Sequence, residues 1–290
     1  MSDIILLMGQ IPMLLYIMVT CLGLLIGSLL NVVIYRLPVM MERAWKVECA
    51  EYFPETNVIL DKGTFNLFLP RSHCPKCAHV IGALENIPII SWLLQQGRCK
   101  HCTCKISVRY PSVELLTALM SLAVAYIIPF GWPLLFALFF TWILICLSYI
   151  DFDTMLLPDQ LTLPLLWFGL LINLSHSFTS INDAVLGAVF GYLSLWSVYW
   201  LFKLATGKEG MGYGDFKLLG ALGAWFGWQS LPVIILLSSF SGIIIGIALL
   251  LLSKDKKSVA FPFGPYLAIA GWIYLLYGPL LTQFYYALLL

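Results

Sequence analysis

Three carboxylates, Asp151, Asp153 and Asp159, fall within nine positions directly after the apolar run Trp142-Ile143-Leu144-Ile145-Cys146-Leu147. A charge at the edge of hydrocarbon is costly unless it is paired or wet, so ionisable groups placed there are functional candidates. One other acid stands in a comparable setting: Asp215, in Gly210-Met211-Gly212-Tyr213-Gly214-Asp215-Phe216-Lys217. Two carboxylates that meet at low dielectric cannot both ionise cheaply, so such a pair holds one proton between them. That state suits peptide hydrolysis without a covalent intermediate. The charged member takes a proton from water, and the neutral one donates to the scissile carbonyl. Gly212 and Gly214 allow close backbone approach beside Asp215. Lys217, two residues on, either tunes the pair or snorkels to the interface. The alternatives for Asp151 and Asp215 are interfacial helix caps, lysine partners or ligands on an ion-transport path. Asp153 cannot share a helix face with Asp151, and Asp159 suits the cap or first turn of a following helix.

The second constellation is made of sulfur. Cys74-Pro75-Lys76-Cys77 and Cys99-Lys100-His101-Cys102 are separated by 21 residues, a spacing in which four thiolates surround zinc tetrahedrally. Four sulfurs leave no open position for water, so the expected site is structural rather than catalytic. Cys104 complicates the set, because Cys102 and Cys104 are only two apart. Keeping Cys102 preserves the Cys-x-x-Cys spacing and leaves Cys104 as a spare thiol. Cys21 and Cys146 lie in apolar runs and read as packing residues. The glycine-rich run before Asp215 lacks the Gly-Lys-Ser/Thr continuation of a phosphate loop, and a net charge of +1 points to no nucleic acid.

The elements that must position these groups are membrane helices. The chain of 290 residues is 61% hydrophobic and 11% charged, with a mean hydropathy of +0.92. A soluble domain is about 45–50% apolar and about 25% charged, so the expected fold class is a polytopic all-α membrane protein. The first apolar run, roughly 11–34, is too long for a secretory signal and lacks its basic start and cleavage site. It is expected to be retained, with Gly23, Gly27 and Ser28 as a small face for close helix contact and Asn31, Arg36 and Pro38 closing it. Further apolar segments lie at roughly 111–129, 132–150, 160–177, 183–204, 214–228, 231–252 and 266–287, which makes about eight transmembrane helices. The segment at 214–228 falls below the usual spanning length. Residues 38–110 form the one polar segment and hold nine of the 16 Lys/Arg. By the positive-inside rule that loop is cytoplasmic and the N-terminus is outside. Apart from Arg36 at the edge of that segment, every remaining base lies in or beside the expected cytoplasmic loops near 150–160, 203–215 and 253–262, and the expected outer loops have none. Asp151 and Asp215 then share one depth of the cytoplasmic face. The expected division is a first helix at 1–37, a cytoplasmic zinc-binding domain at 38–110 and a seven-helix membrane domain at 111–290.

With these residues in place, the chain resembles the bacterial type IV prepilin peptidase family, the bifunctional leader peptidases and N-methyltransferases of type IV pili and type II secretion, most of all those of gammaproteobacteria. The resemblance covers essentially the whole chain. It is carried by Gly27-Ser28-Leu29-Leu30-Asn31 through Tyr35-Arg36-Leu37-Pro38, both Cys pairs, Glu85-Asn86-Ile87-Pro88, Arg109-Tyr110-Pro111-Ser112-Val113-Glu114, Asp151 through Asp159, Gly212 through Lys217, and Phe263-Gly264-Pro265-Tyr266. It implies an intramembrane aspartyl protease of the bacterial inner membrane in which Asp151 and Asp215 are catalytic and Asp153 assists. It also implies that the substrates are prepilins and pseudopilins, whose short basic leader is removed after its terminal glycine, and that the new N-terminal residue is methylated from S-adenosylmethionine. Glu42 and Arg43 begin the loop that the family associates with methyl transfer, but no residue pattern marks a site for the methyl donor. Two readings compete: a monofunctional peptidase of archaeal type, which would lack the zinc loop, and an aspartate-dependent transporter, which would not need one.

Overall fold

The computed structural model describes residues 12–53, 63–252 and 262–289. Lys254, Lys256 and Lys257 of the expected 253–262 loop, and the N-terminal tail at residues 1–10, lie outside the described residues. Among the described residues, regular structure is helical apart from two isolated antiparallel bridges. The chain forms two compact units, Met1–Tyr126 and Ile127–Leu290, a coarser division than the expected three.

The first unit holds α1 (Pro12–Tyr52), a short 3-10 turn (Ala83–Asn86), α2 (Ile90–Leu94) and α3 (Arg109–Ile127). Small residues let α1 and α3 approach closely. A Cβ at Gly23 would lie 2.8 Å from the Ala118 Cα, and one at Gly27 would lie 2.6 Å from the Glu114 Cα. The expected end of the first helix near Pro38 is not observed, and α1 runs on to Tyr52. Proline removes only one helical hydrogen bond, and Met40-Met41-Glu42-Arg43-Ala44 are good helix formers. Glu42 adds an i,i+4 ion pair with Lys46 at 2.7 Å. Arg36 is buried and donates to the Asn66 and Pro70 carbonyls at 2.8 and 2.6 Å, which ties the following loop to the helix.

The second unit holds α4 (Trp132–Thr154), α5 (Asp159–Asn173), α6 (Ile181–Thr206), α7 (Tyr213–Phe226), a 3-10 turn (Trp228–Ser230), α8 (Leu231–Leu252) and α9 (Gly264–Leu289). Its core is α7, in which every residue from Leu218 to Trp225 is buried. A helix apolar on all sides is an interior helix. It packs on α6 through glycines: a Cβ on Gly187 or on Gly223 would strike the backbone of the other, and one on Gly191 would lie 2.6 Å from the Leu219 carbonyl oxygen. Trp225 closes the core. Its indole N–H donates to the Leu165 carbonyl at 2.9 Å, and its ring meets Phe140, Phe168, Phe178 and Phe226. Asn173, at the end of α5, donates to the Ala224 and Trp225 carbonyls at 2.9 and 3.0 Å, which satisfies the C-terminal end of α7. Asp183, in the first turn of α6, accepts from Trp228 and Gln229 at 3.0 Å each.

The molecule is an all-α polytopic membrane protein. Among the described residues, α1, α3, α4, α6, the stretch Trp228–Ile247 and α9 are each long and apolar enough to cross a bilayer, which makes six. The other two expected spans exist as helices, but α5 has 15 residues and α7 has 14. At 1.5 Å per residue the latter is about 21 Å long, against about 30 Å of hydrocarbon.

Candidate active site and thiolate cluster

Asp151 lies in the last turn of α4 and Asp215 in the first turn of α7; they are 5% and 7% exposed. Asp151 Oδ2 accepts the backbone N–H of Gly264 at 3.0 Å. Gly264 is the first residue of α9, so the carboxylate caps a helix end whose N–H groups have no partner within the helix. Met155 adopts a left-handed conformation with φ of 56° and donates its N–H to the Asp151 carbonyl at 2.9 Å, which ends α4 and turns the chain. Asp215 sits beside a helix N-terminus in its own right, with its N–H on the Gly212 carbonyl at 3.3 Å.

One side chain locks the three segments together. A Cβ at Gly214 would lie 2.6 Å from the Leu157 Cβ, and one at Gly264 would lie 3.0 Å from the Leu157 Cδ1 and 2.6 Å from Asp151 Oδ2. The turn after α4, the start of α7 and the start of α9 therefore meet around Leu157. The two carboxylates are near enough for their charges to interact. Asp215 Oδ1 is buried and has no hydrogen-bond partner among the described residues. Gly264 and Leu157 are the contributors that residue types alone did not single out. Gly264 came to notice only within the resemblance, and nothing in its own neighbourhood names Asp151 as its acceptor.

The remaining sequence candidates fall as follows. Asp153 is exposed in the last turn of α4. Of the two glycines, Gly214 is tightly enclosed, whereas a Cβ at Gly212 would meet Asp215 Oδ2 at an ordinary 3.7 Å. Lys217 Nζ donates to both carboxylate oxygens of Asp159, at 2.6 and 2.7 Å. The lysine therefore joins α7, one turn in from its start, to the first turn of α5.

The cysteines gather in the first unit. The Sγ atoms of Cys74, Cys99, Cys102 and Cys104 all lie within 4.8 Å of one another, and Cys77 Sγ stands 3.9 Å from Cys99 Sγ. Around a tetrahedral metal with bonds of about 2.3 Å, sulfurs stand about 3.8 Å apart, so the group fits a metal ion. Cys104, the expected spare thiol, is drawn into the tightest set. Backbone N–H groups of Cys77 and Lys76 on the Cys74 sulfur lower its thiol to about 6, whereas the neighbouring Cys74 and Cys102 sulfurs push Cys104 up to about 12. Five thiols this close cannot all ionise without a cation among them. Beside them, the Gly82 N–H and the His79 ring hold Glu85 below the usual carboxylate range.

Comparison with known proteins matches residues 138–247 to the type IV leader peptidase family and residues 21–128 to the bacterial peptidase A24 N-terminal domain. The first range contains both buried aspartates and the second contains all five clustered cysteines. The chain is 59% identical over 275 residues to a prepilin leader peptidase/N-methyltransferase of Aeromonas hydrophila, covering 95% of each chain. The chain belongs to the prepilin leader peptidase/N-methyltransferase family. Proteins of the same description from Pseudomonas aeruginosa, 56% identical over 91% of each chain, and Dichelobacter nodosus, 52% identical over 91% of this chain and 92% of the relative, agree. No solved structure matches. Membership in this family is what the sequence resemblance implied.

Proposed function

We infer that this chain is a bifunctional enzyme of the inner membrane that removes the leader from type IV prepilins and related pseudopilins and N-methylates the new N-terminus from S-adenosylmethionine. The observation that carries the proteolytic half is the meeting of Asp151 and Asp215, both buried, where α4, α7 and α9 end or begin. One carboxylate, charged, takes a proton from a water whose oxygen attacks the scissile carbonyl carbon. The other, protonated, donates to the carbonyl oxygen. The resulting tetrahedral intermediate collapses with loss of the C–N bond, and the amine leaves with a proton returned from the pair. No metal and no covalent intermediate enters these steps. Gly214 shapes the approach to Asp215, while Gly212, Asp153 and Lys217 stand as supporting groups around the pair.

Zinc suits the thiolate cluster, where Cys74, Cys77, Cys99 and Cys102 would supply four thiolate donors and the ion would hold the loop segments together. No residues are assigned to the methyl donor. We place the N-terminus on the periplasmic side, with the aspartates and the cluster on the cytoplasmic side, because the Lys and Arg residues concentrate in the corresponding segments. Six crossings rather than four fit the second unit, which makes eight with α1 and α3. The end of α4 and the starts of α7 and α9 meet at the aspartates, so α5 with α6, and α7 with α8, must each leave that face and return to it.

The test is mass spectrometry of a purified prepilin after incubation with the enzyme, with and without S-adenosylmethionine. Loss of the basic leader is expected, followed by a gain of one methyl only when the donor is present. D151N and D215N should each lower cleavage by about 10³-fold or more, the scale on which paired catalytic groups act. Cleavage at wild-type rate by either variant would remove these residues from the mechanism.

A further inference from the structure

The two Cys-x-x-Cys segments fold as equivalent turns. Ala78 donates to the Cys74 carbonyl and Thr103 to the Cys99 carbonyl, each at 2.9 Å. Ala78 and Thr103 both take left-handed conformations, with φ of 55° and 56°. Each turn is closed one residue later: Cys74 N–H donates to the His79 carbonyl at 2.9 Å and Cys99 N–H to the Cys104 carbonyl at 2.8 Å. Isolated bridges flank both, His73 with Val80 and Arg98 with Lys105. His79 and Cys104 therefore occupy the same position of two like turns, and both are metal-ligating residue types. They are used differently. His79 Nε2 is engaged with Glu85 Oε2 at 3.0 Å and its ring lies tilted against that of His101, with centroids 3.7 Å apart. Cys104 turns inward, with its sulfur 3.4 Å from Cys74 Sγ.

Backbone donors reach three of the four expected ligands. N–H groups of Cys77 and Lys76 reach Cys74 sulfur, the His79 N–H reaches Cys77 sulfur, and the Cys104 N–H reaches Cys102 sulfur. The Cys104 sulfur has no such donor among its described contacts, yet it lies within the same 4.8 Å group as Cys74, Cys99 and Cys102.

We propose that Cys104 is a reserve ligand: five thiols serve four coordination positions, and Cys104 completes the tetrahedron when Cys77 is lost. The substitution needs no backbone movement, because Cys74, Cys99, Cys102 and Cys104 already stand at ligand spacing. The relation is not general. Without Cys74 the four thiols left include Cys77, which lies outside the group whose sulfurs are all within 4.8 Å of one another, so Cys104 does not complete a tetrahedron there. The inference rests on the reading of this cluster as a metal site.

The experiment is titration of the full-length, detergent-solubilised chain with Co²⁺ and Zn²⁺, using wild type, C77S, C104S, C77S/C104S and C74S. Bound metal per chain is measured, together with the sulfur-to-cobalt charge-transfer intensity, which scales with the number of thiolates. C77S and C104S should each bind one ion with the wild-type intensity. C77S/C104S should lose about a quarter of the intensity, one thiolate of four, and bind at least about 10-fold more weakly, the low end of the loss seen even for supporting groups. C74S should behave like the double variant. If wild type binds a four-thiolate ion but C77S is as impaired as C77S/C104S, the reserve-ligand proposal fails and the metal site stands. If wild type binds no ion, both fail.

Discussion

Gly264 offers the sharpest residue-level test of how the aspartate pair is held. Its N–H is a partner of Asp151, and a methyl group there would lie 2.6 Å from the Asp151 carboxylate and 3.0 Å from Leu157. Alanine forces the carboxylate or the leucine to move, and displacements of about 1 Å in a catalytic constellation cost up to about 100-fold. G264A and G214A should therefore lower kcat for prepilin cleavage by about 10–100-fold in protein that remains folded, read by initial rates at saturating substrate. G212A should stay within about 3-fold, since its added methyl meets Asp215 at ordinary contact distance. Equal losses at positions 212 and 214 would show that loop flexibility, not close packing, is what the glycines supply. Charge, hydropathy and spacing were sufficient to single out Asp151 and Asp215, because an acid at the end of an apolar run is visible locally. The partner of Asp151 was not visible, because 113 positions separate it from Gly264 and a backbone N–H leaves no mark in residue type. Cys104 was visible as a spare thiol, but its place 3.4 Å from Cys74 Sγ was not, because 30 positions separate the two.

At the level of elements, Lys217 and Asp159 join the N-terminal ends of α7 and α5. Each helix start adjoins an aspartate segment: Asp159 follows the turn that leaves Asp151, and Lys217 follows Asp215 by two residues. From residue type and position alone the lysine suits a tuner of the pair or a snorkelling side chain, and Asp159 suits the start of a helix. The structure places Asp159 in a first turn and gives it the lysine as partner. A cation this close to the start of α7 opposes the helix dipole, and the acid that faces it offsets that opposition. If the pair positions Asp215, K217M and D159N should each reduce kcat by about 10-fold while leaving KM within about 3-fold, and K217R should recover most of the loss. The double variant should be no worse than either single one, since groups that act as a unit are not additive. Additive losses measured in that cycle would assign the two residues separate roles. Helix existence was legible from the apolar runs, including the short α7 segment at 214–228. The run of α1 through Pro38 was not, because proline was weighed as a stop, whereas the helix-forming residues after it compensate for one lost hydrogen bond.

For the whole molecule, the open quantity is the number of crossings, and the second unit makes the six- and eight-crossing arrangements distinguishable. Two short helices, α5 and α7, fall below the ordinary spanning length, so length alone would leave six crossings. The contacts at the helix ends argue for eight. Asp151, Asp215 and Gly264 gather at one set of ends, while Asn173 meets the Ala224 and Trp225 carbonyls, and Asp183 meets Trp228 and Gln229, at the other. A short helix can connect the two faces where it is enclosed by longer neighbours, because its exposed ends are then satisfied by protein rather than left in lipid. Asn173 does this for α7, which is otherwise buried throughout its middle. Local bilayer thinning makes up the remaining length at a fraction of a kcal/mol per Å. In the eight-crossing arrangement Ser177 faces the periplasm and Lys208 the cytoplasm. If α5 and α7 do not cross, both assignments are reversed. Inserting a phosphatase that is active only outside the cytoplasm after Ser177 should thus give high activity, and inserting it after Lys208 should give background. A green fluorescent reporter at the same sites should show the opposite pattern. The reverse result would put the α6–α7 loop outside and would leave Asp215 unable to meet a basic leader held in the cytoplasm.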